Sequence, residues 1–174
     1  AMQNRAIAGN REWIAVSWQG IGGRLGVFNV QKDKGRAPTE LGVIETGSAV
    51  MDFAFNPFKT SQLVTGGENA LIKVWDIPAT GIKAMKTSYK DAAAELRGHQ
   101  HKIVTLDFHP LAENLLLSTS GDLTAKLWDV STQQDAVTLR GFEDLVLSTS
   151  WNWAGNQLAT TSKDKVLRIW DARQ

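Results

Sequence analysis

Leu115-Leu116-Leu117-Ser118-Thr119-Ser120-Gly121-Asp122-Leu123-Thr124-Ala125-Lys126-Leu127-Trp128-Asp129 decides the fold of this 174-residue chain. Two short apolar runs flank a Gly-Asp turn, the pattern of two strands joined by a tight connection. The chain writes the same pattern twice more. Leu63-Val64-Thr65-Gly66-Gly67 leads to Ile72-Lys73-Val74-Trp75-Asp76, and Leu158-Ala159-Thr160-Thr161-Ser162 leads to Arg168-Ile169-Trp170-Asp171. The three Trp-Asp marks lie 53 and 42 residues apart. Self-similarity at such a period marks a repeat architecture, whose units bury their apolar faces only by stacking on one another.

A period of about 40–45 residues closed by Trp-Asp resembles the WD40 repeat, each repeat a four-stranded β-propeller blade. The resemblance implies an all-β WD40 propeller fragment of about four blades, two complete and two incomplete, from a seven-bladed propeller. Residues 1–12 are expected to be an N-terminal segment, with Ala1-Met2 read as an expression scar. Blade one, 13–46, is expected to hold strands at 13–18, 25–30 and 41–45, with residues 5–8 the one candidate inner strand. For blade two, 47–97, the expected strands are 50–55, 62–65, 72–76 and 93–97. Those of blade three, 98–140, are 103–108, 115–118, 125–129 and 136–139. Blade four, 141–174, offers 146–151, 157–160 and 166–170 and lacks its outer strand. Polar insertions at 31–39 and 78–92 interrupt the period.

Composition excludes several classes. With 19 basic and 18 acidic residues, no global field recruits nucleic acid or membrane. The chain has no cysteine, so neither a disulfide framework nor a cysteine-based zinc site is available. No apolar run approaches the roughly 18 residues of a transmembrane helix, and no signal peptide is legible. No catalytic motif, metal-ligand spacing or phosphate-binding glycine loop occurs; Gly22-Gly23 falls between two strands and reads as a hairpin turn. No catalytic residue, metal or cofactor is therefore expected.

Within the repeat the polar residues have a structural task. A histidine before the first strand, a hydroxyl ten residues before the Trp and an Asp six before it form a tetrad with the indole. Blade three has every member: His99, Ser118, Asp122 and Trp128. The fourth blade has Thr160, Asp164 and Trp170, with Phe142 where the histidine belongs. In the second, Thr65 and Trp75 remain, while Ser48 and Asn69 stand in the other two places. His109-Pro110 takes the turn position of Asn56-Pro57.

Lys102, Lys163, Lys165, Arg168 and Arg173 cluster in sequence around blades three and four. They read either as a solvated strand edge or as a basic patch docking an acidic protein surface such as a filament. Trp151 is expected to point inward and Trp153 outward, the latter a candidate contact.

Longer stretches resemble the coronin family, from about Trp13 to the end. They include Gly22-Gly23 with Gly35-Arg36, and Val50-Met51-Asp52 with Val74-Trp75-Asp76-Ile77-Pro78. Leu96-Arg97-Gly98-His99, Ser150-Trp151-Asn152 and Ser162-Lys163-Asp164-Lys165 continue the match. It is nearest the long, tandem-propeller members of the coronin-7 and POD-1 type. The resemblance implies a seven-bladed propeller that binds filamentous actin and regulates the cytoskeleton or membrane traffic. It also implies a cytoplasmic, cytoskeleton-associated protein, with Golgi or vesicle association for the long type. An open ring leaves strand edges and blade faces uncovered, so self-association is a further expectation. Trp170-Asp171-Ala172-Arg173 also resembles the motif by which WD40 substrate receptors dock the cullin-4 ubiquitin ligase adaptor, a different class of function.

Overall fold

The computed structural model describes residues 6–18, 22–32, 42–82 and 89–172. All regular structure among them is antiparallel β-sheet, apart from one parallel bridge. In blade one, β1 (Ile7–Gly9), β2 (Trp13–Trp18), β3 (Arg24–Asn29) and β4 (Gly42–Glu45) pair in chain order. Blade two repeats this with β5 (Val50–Phe55), β6 (Gln62–Gly67), β7 (Ile72–Asp76) and β8 (Ala94–Leu96). Blade three is built of β9 (Ile103–Phe108), β10 (Leu115–Ser120), β11 (Ala125–Asp129) and β12 (Gln134–Leu139). Blade four has three strands, β13 (Val146–Trp151), β14 (Gln157–Ser162) and β15 (Leu167–Asp171).

One expectation is corrected. Blade one has four strands, because Ile7–Gly9 pairs with β2 in the register Ile7↔Val16 to Gly9↔Ile14. Three residues with an exposed Ile7 carry little hydrophobic period, so the sequence offers residues 5–8 only as a candidate and pairing sets the strand at Ile7–Gly9. The first strands β1, β5, β9 and β13 lie against one another in turn, as the inner strands of a propeller do.

The core is divided between the blades. Trp13, Leu25 and Ile44 of blade one pack on Phe53, Leu63 and Trp75 of blade two. Val64, Ile72 and Leu96 meet Ile103, Leu106 and Trp128 across the next junction. Leu117, Leu127 and Phe142 pack with Val146 and Leu158 at the third. Each blade is therefore buried by its neighbours and not by itself, the physical basis of repeat stability. Gly66 permits one junction to close: a Cβ there would stand 2.5 Å from the Ile103 side chain.

The insertion after β7 returns to blade one. Glu45 N–H donates to the Tyr89 carbonyl at 3.0 Å, and Tyr89 N–H donates to that of Val43 at 2.9 Å. A parallel bridge between Ile44 and Tyr89 results, covering part of the β4 edge that would otherwise be open to pairing. At the other end, the face of blade four turned away from blade three is bare. Leu167 is 62% and Ile169 67% exposed, while Arg168 and Trp170 between them point into the sheet stack.

Candidate functional site

The third-blade tetrad is a single directed chain of hydrogen bonds. The Trp128 indole N–H donates to Ser118 Oγ at 2.7 Å. Ser118 Oγ lies 2.7 Å from His99 Nε2, and His99 Nδ1 lies 2.8 Å from Asp122 Oδ2. A carboxylate only accepts, so Nδ1–H donates to Asp122 and Nε2 accepts from the serine hydroxyl. Within the tetrad every buried polar side chain has its partner. Burial pushes the His99 imidazole below its ordinary value and outweighs the attraction of Asp122. Burial also pushes the Asp122 carboxyl up, but hydrogen bonds from Thr124, Gln100 and His99 overcome it and bring it down to about 2.

Partial tetrads keep the indole contact and replace the rest. Trp75 Nε1–H donates to Thr65 Oγ1 at 2.9 Å, and Asn69 N–H donates to Ser48 Oγ at 3.2 Å. In blade four Trp170 Nε1–H donates to Thr160 Oγ1 at 2.9 Å, and Phe142 packs on the Trp170 ring at 5.5 Å. Arg168 supplies the missing donor. Its guanidinium donates to Ser162 Oγ at 2.9 Å, reaches Asp164 Oδ2 at 3.0 Å and sits 5.3 Å from the Phe142 ring centre. The Ser162 hydroxyl, helped by the Val166 and Glu143 N–H groups and by Arg168, holds the Asp164 carboxyl down at about 2.

Arg168, expected as a docking candidate, is thus engaged inside its own blade. Its side chain is 20% exposed and bound within its own blade. Alternation along β15 decides the matter, because Arg168 shares the inward face with Trp170.

The remaining candidates separate to opposite strand ends. Lys102 precedes β9, and its carbonyl accepts from Gly121 N–H at 2.8 Å, beside the turn joining β10 to β11. Lys163 and Lys165 lie in the matching turn of blade four, between β14 and β15. Lys163 and Lys165 are exposed, and Lys163 Nζ stands 3.9 Å from Asp144 Oδ2. Lys165 takes φ of 67°, as Leu123 takes 61° and Ala70 65° at the equivalent places. Each follows an Asp or Asn whose Oδ1 accepts from the second N–H beyond it, which sets the turn. Trp153 occupies the turn at the other end of the strands and is 88% exposed. Arg173 lies outside the described residues. Trp151 is half-buried, its ring 4.6 Å from that of His109.

Sequence reasoning missed the bonds that join blades. Asn10 Nδ2 donates to the Thr60 carbonyl at 2.7 Å, from blade one to blade two. His109 Nδ1 accepts from Leu111 and Ala112 N–H at 3.1 and 2.7 Å, leaving Nε2–H to donate to the Gly155 carbonyl at 2.8 Å. It caps its own turn and clamps the next blade. Asp52 Oδ2 likewise accepts from Leu106 N–H at 2.8 Å, from β5 to β9.

An open groove of about 360 Å³ between blades one and two is lined by Arg24, Glu45, Lys73 and Lys90. Glu45 pairs with Arg24 at 3.1 Å and Lys90 at 3.0 Å, and Lys73 pairs with Glu95 at 3.5 Å. Among the described residues no group of three or more His, Asp or Glu is arranged to hold a metal, and no helix is long and apolar enough to cross a membrane.

The family model "WD domain, G-beta repeat" matches residues 39–76, 91–129 and 134–171. Each matched segment begins at or just before the outer strand of one blade and ends on the third strand of the next. Coronin-7 of Rattus norvegicus is 39% identical over 165 residues, covering 94% of this chain and 18% of the relative. The coronin-like protein of Saccharomyces cerevisiae is 35% identical over 189 residues, covering all of this chain and 28% of the relative. The crystal structure of the WD40 domain from Toxoplasma gondii coronin superposes with a TM-score of 0.88 at 31% identity, over 97% of this chain and 42% of that one. The chain thus spans well under two thirds of each relative. It belongs to the WD40-repeat family, and its blades are of the coronin type.

Proposed function

We propose that the chain is a non-enzymatic interaction module that binds filamentous actin and serves cytoskeletal organisation or membrane traffic. The observation that carries this reading is the placement of Lys102, Lys163 and Lys165 at one end of the strands of two adjacent blades. An acidic filament surface meets such an end with complementary charge, which favours encounter and register. The coronin names of its relatives support the choice of filament. A cytoplasmic, cytoskeleton-associated location follows from that choice, with Golgi or vesicle association if the long coronins are the better guide. The bare face of blade four supports self-association as a second protein contact.

Co-sedimentation with actin filaments tests the reading. The chain pellets with filaments at low salt, and the variant Lys102→Glu/Lys163→Glu/Lys165→Glu stays in the supernatant. Equal pelleting of the two proteins, or none by either, would remove actin docking at this face.

A further inference from the structure

Blades two, three and four each carry one large apolar side chain in solvent at the turn between first and second strands. Phe58 is 44% exposed, Leu111 62% and Trp153 88%. All three stand at matching places, directly after the side chain that caps the turn or one residue beyond it. Those caps are Asn56, His109 and Asn152. A carboxylate accompanies each tip. Asp76, Asp129 and Asp171 close the third strands opposite Gln62, Leu115 and Gln157, the residues that leave the same turns. Adjacent turns touch: His109 Nε2–H reaches the Gly155 carbonyl at 2.8 Å, and Lys59 Nζ reaches Asn114 Oδ1 at 3.4 Å.

Apolar tip and carboxylate therefore recur three times along one rim. Exposed Glu113 adds to the acidity, and among the described residues of these three turns Lys59 is the opposing charge. The Ser131 hydroxyl and N–H hold the Asp129 carboxyl below the usual carboxylate range, so it stays ionised.

We propose that this rim docks a basic, amphipathic segment of a partner protein. Trp153, Leu111 and Phe58 supply the apolar anchors; a bare Trp beside smaller apolar groups within a polar border is the composition of an interface hot spot. The carboxylates choose the sign of the partner. They attract lysine and arginine along an amphipathic segment and repel phospholipid headgroups, nucleic acid and an acidic filament. Because Lys102, Lys163 and Lys165 lie at the opposite strand ends, the rim is a second surface that leaves the first one free.

A short labelled peptide of leucine and lysine with helical amphipathic spacing, and its leucine–glutamate counterpart, serve as probes by fluorescence anisotropy. The lysine peptide binds the chain and the glutamate peptide does not. Phe58→Ser/Leu111→Ser/Trp153→Ser weakens binding at least about tenfold, in the range of hot-spot truncations, with unchanged melting temperature. Asp76→Asn/Asp171→Asn weakens binding and flattens its salt dependence, whereas Leu167→Ser/Ile169→Ser leaves it intact. Absence of binding by the lysine peptide, equal binding of the two peptides, or loss confined to the Leu167→Ser/Ile169→Ser variant would overturn the proposal. Actin co-sedimentation of the triple serine variant stays at the parent level. Its loss would merge the two surfaces and overturn the assignment of a separate partner.

Discussion

The Arg168 guanidinium lies 5.3 Å from the centre of the Phe142 ring and donates past it to Ser162 and Asp164. Phe142 stands where blade three has His99, so the aromatic ring and the donor that one histidine combines are divided here between two residues. Arg168 is therefore part of the blade's frame. Arg168→Met is expected to lower the melting temperature clearly more than Lys163→Met, although both remove one positive charge. Thermal denaturation of the two variants side by side checks this. Equal melting temperatures would return Arg168 to the surface.

Ser118 receives the Trp128 indole N–H and faces His99 at the same oxygen. Ser118→Ala leaves a buried indole N–H and a buried imidazole nitrogen without partners. Each unsatisfied group costs about 1–3 kcal/mol, so a loss of about 2–6 kcal/mol is expected. Urea denaturation followed by circular dichroism measures it, and Thr132→Ala at an exposed turn supplies the reference near zero.

Acid should act through the same tetrad. The folded His99 value is lowered, so its contribution is fully present above the unfolded value of about 6.5 and is lost as pH falls through the folded one. The Asp122 contribution is likewise present above the ordinary aspartate value of 3.8 and lost as pH falls toward about 2. Stability is expected to decline from pH 7.5 to 5, and His99→Gln, which cannot titrate, should flatten that part of the curve. An unchanged slope in the variant would show that another group governs it.

His109 clamps blade three to blade four through the Gly155 carbonyl. His109→Ala is expected to loosen the junction more than either blade. Hydrogen exchange should show faster exchange in β13–β15 than in β10–β12 relative to the parent protein. His109→Asn, which restores the amide-bearing turn cap of the other blades, should recover part of the protection.

The bare face of blade four predicts concentration-dependent association. Leu167→Lys/Ile169→Lys, placed at the two exposed apolar positions of β15, should shift the light-scattering mass toward the monomer. An unaffected mass would locate the contact elsewhere or show that none forms.

The hydroxyl–indole pairs were legible because they are local. Ser118 and Trp128, Thr65 and Trp75, and Thr160 and Trp170 each lie on the two arms of one hairpin, whose register carries them together once the turn is set. The Asx turns at Asn69, Asp122 and Asp164 were readable for the same reason. The first strand of blade one was legible only as a candidate at residues 5–8, since Ile7–Gly9 is too short to show a period, and pairing with β2 fixes its bounds. Lys102, Lys163, Lys165 and Arg168 looked alike as isolated cations. Alternation along β15 turned Arg168 inward, while the turns left Lys163 and Lys165 in solvent.

By itself the sequence determined a repeated four-stranded unit, the Trp-Asp period and the polar bonds inside each blade, because these depend on spacings within one hairpin. Tertiary structure alone decided which residues lie exposed at the strand ends and which are bound within the frame. Blade burial comes from neighbours distant in the chain, as Gly66 against Ile103 and Asn10 against Thr60 show. Antiparallel pairing within a blade sets Lys163 and Lys165 at one strand end and Trp153 at the other, and stacking brings the matching ends of neighbouring blades side by side.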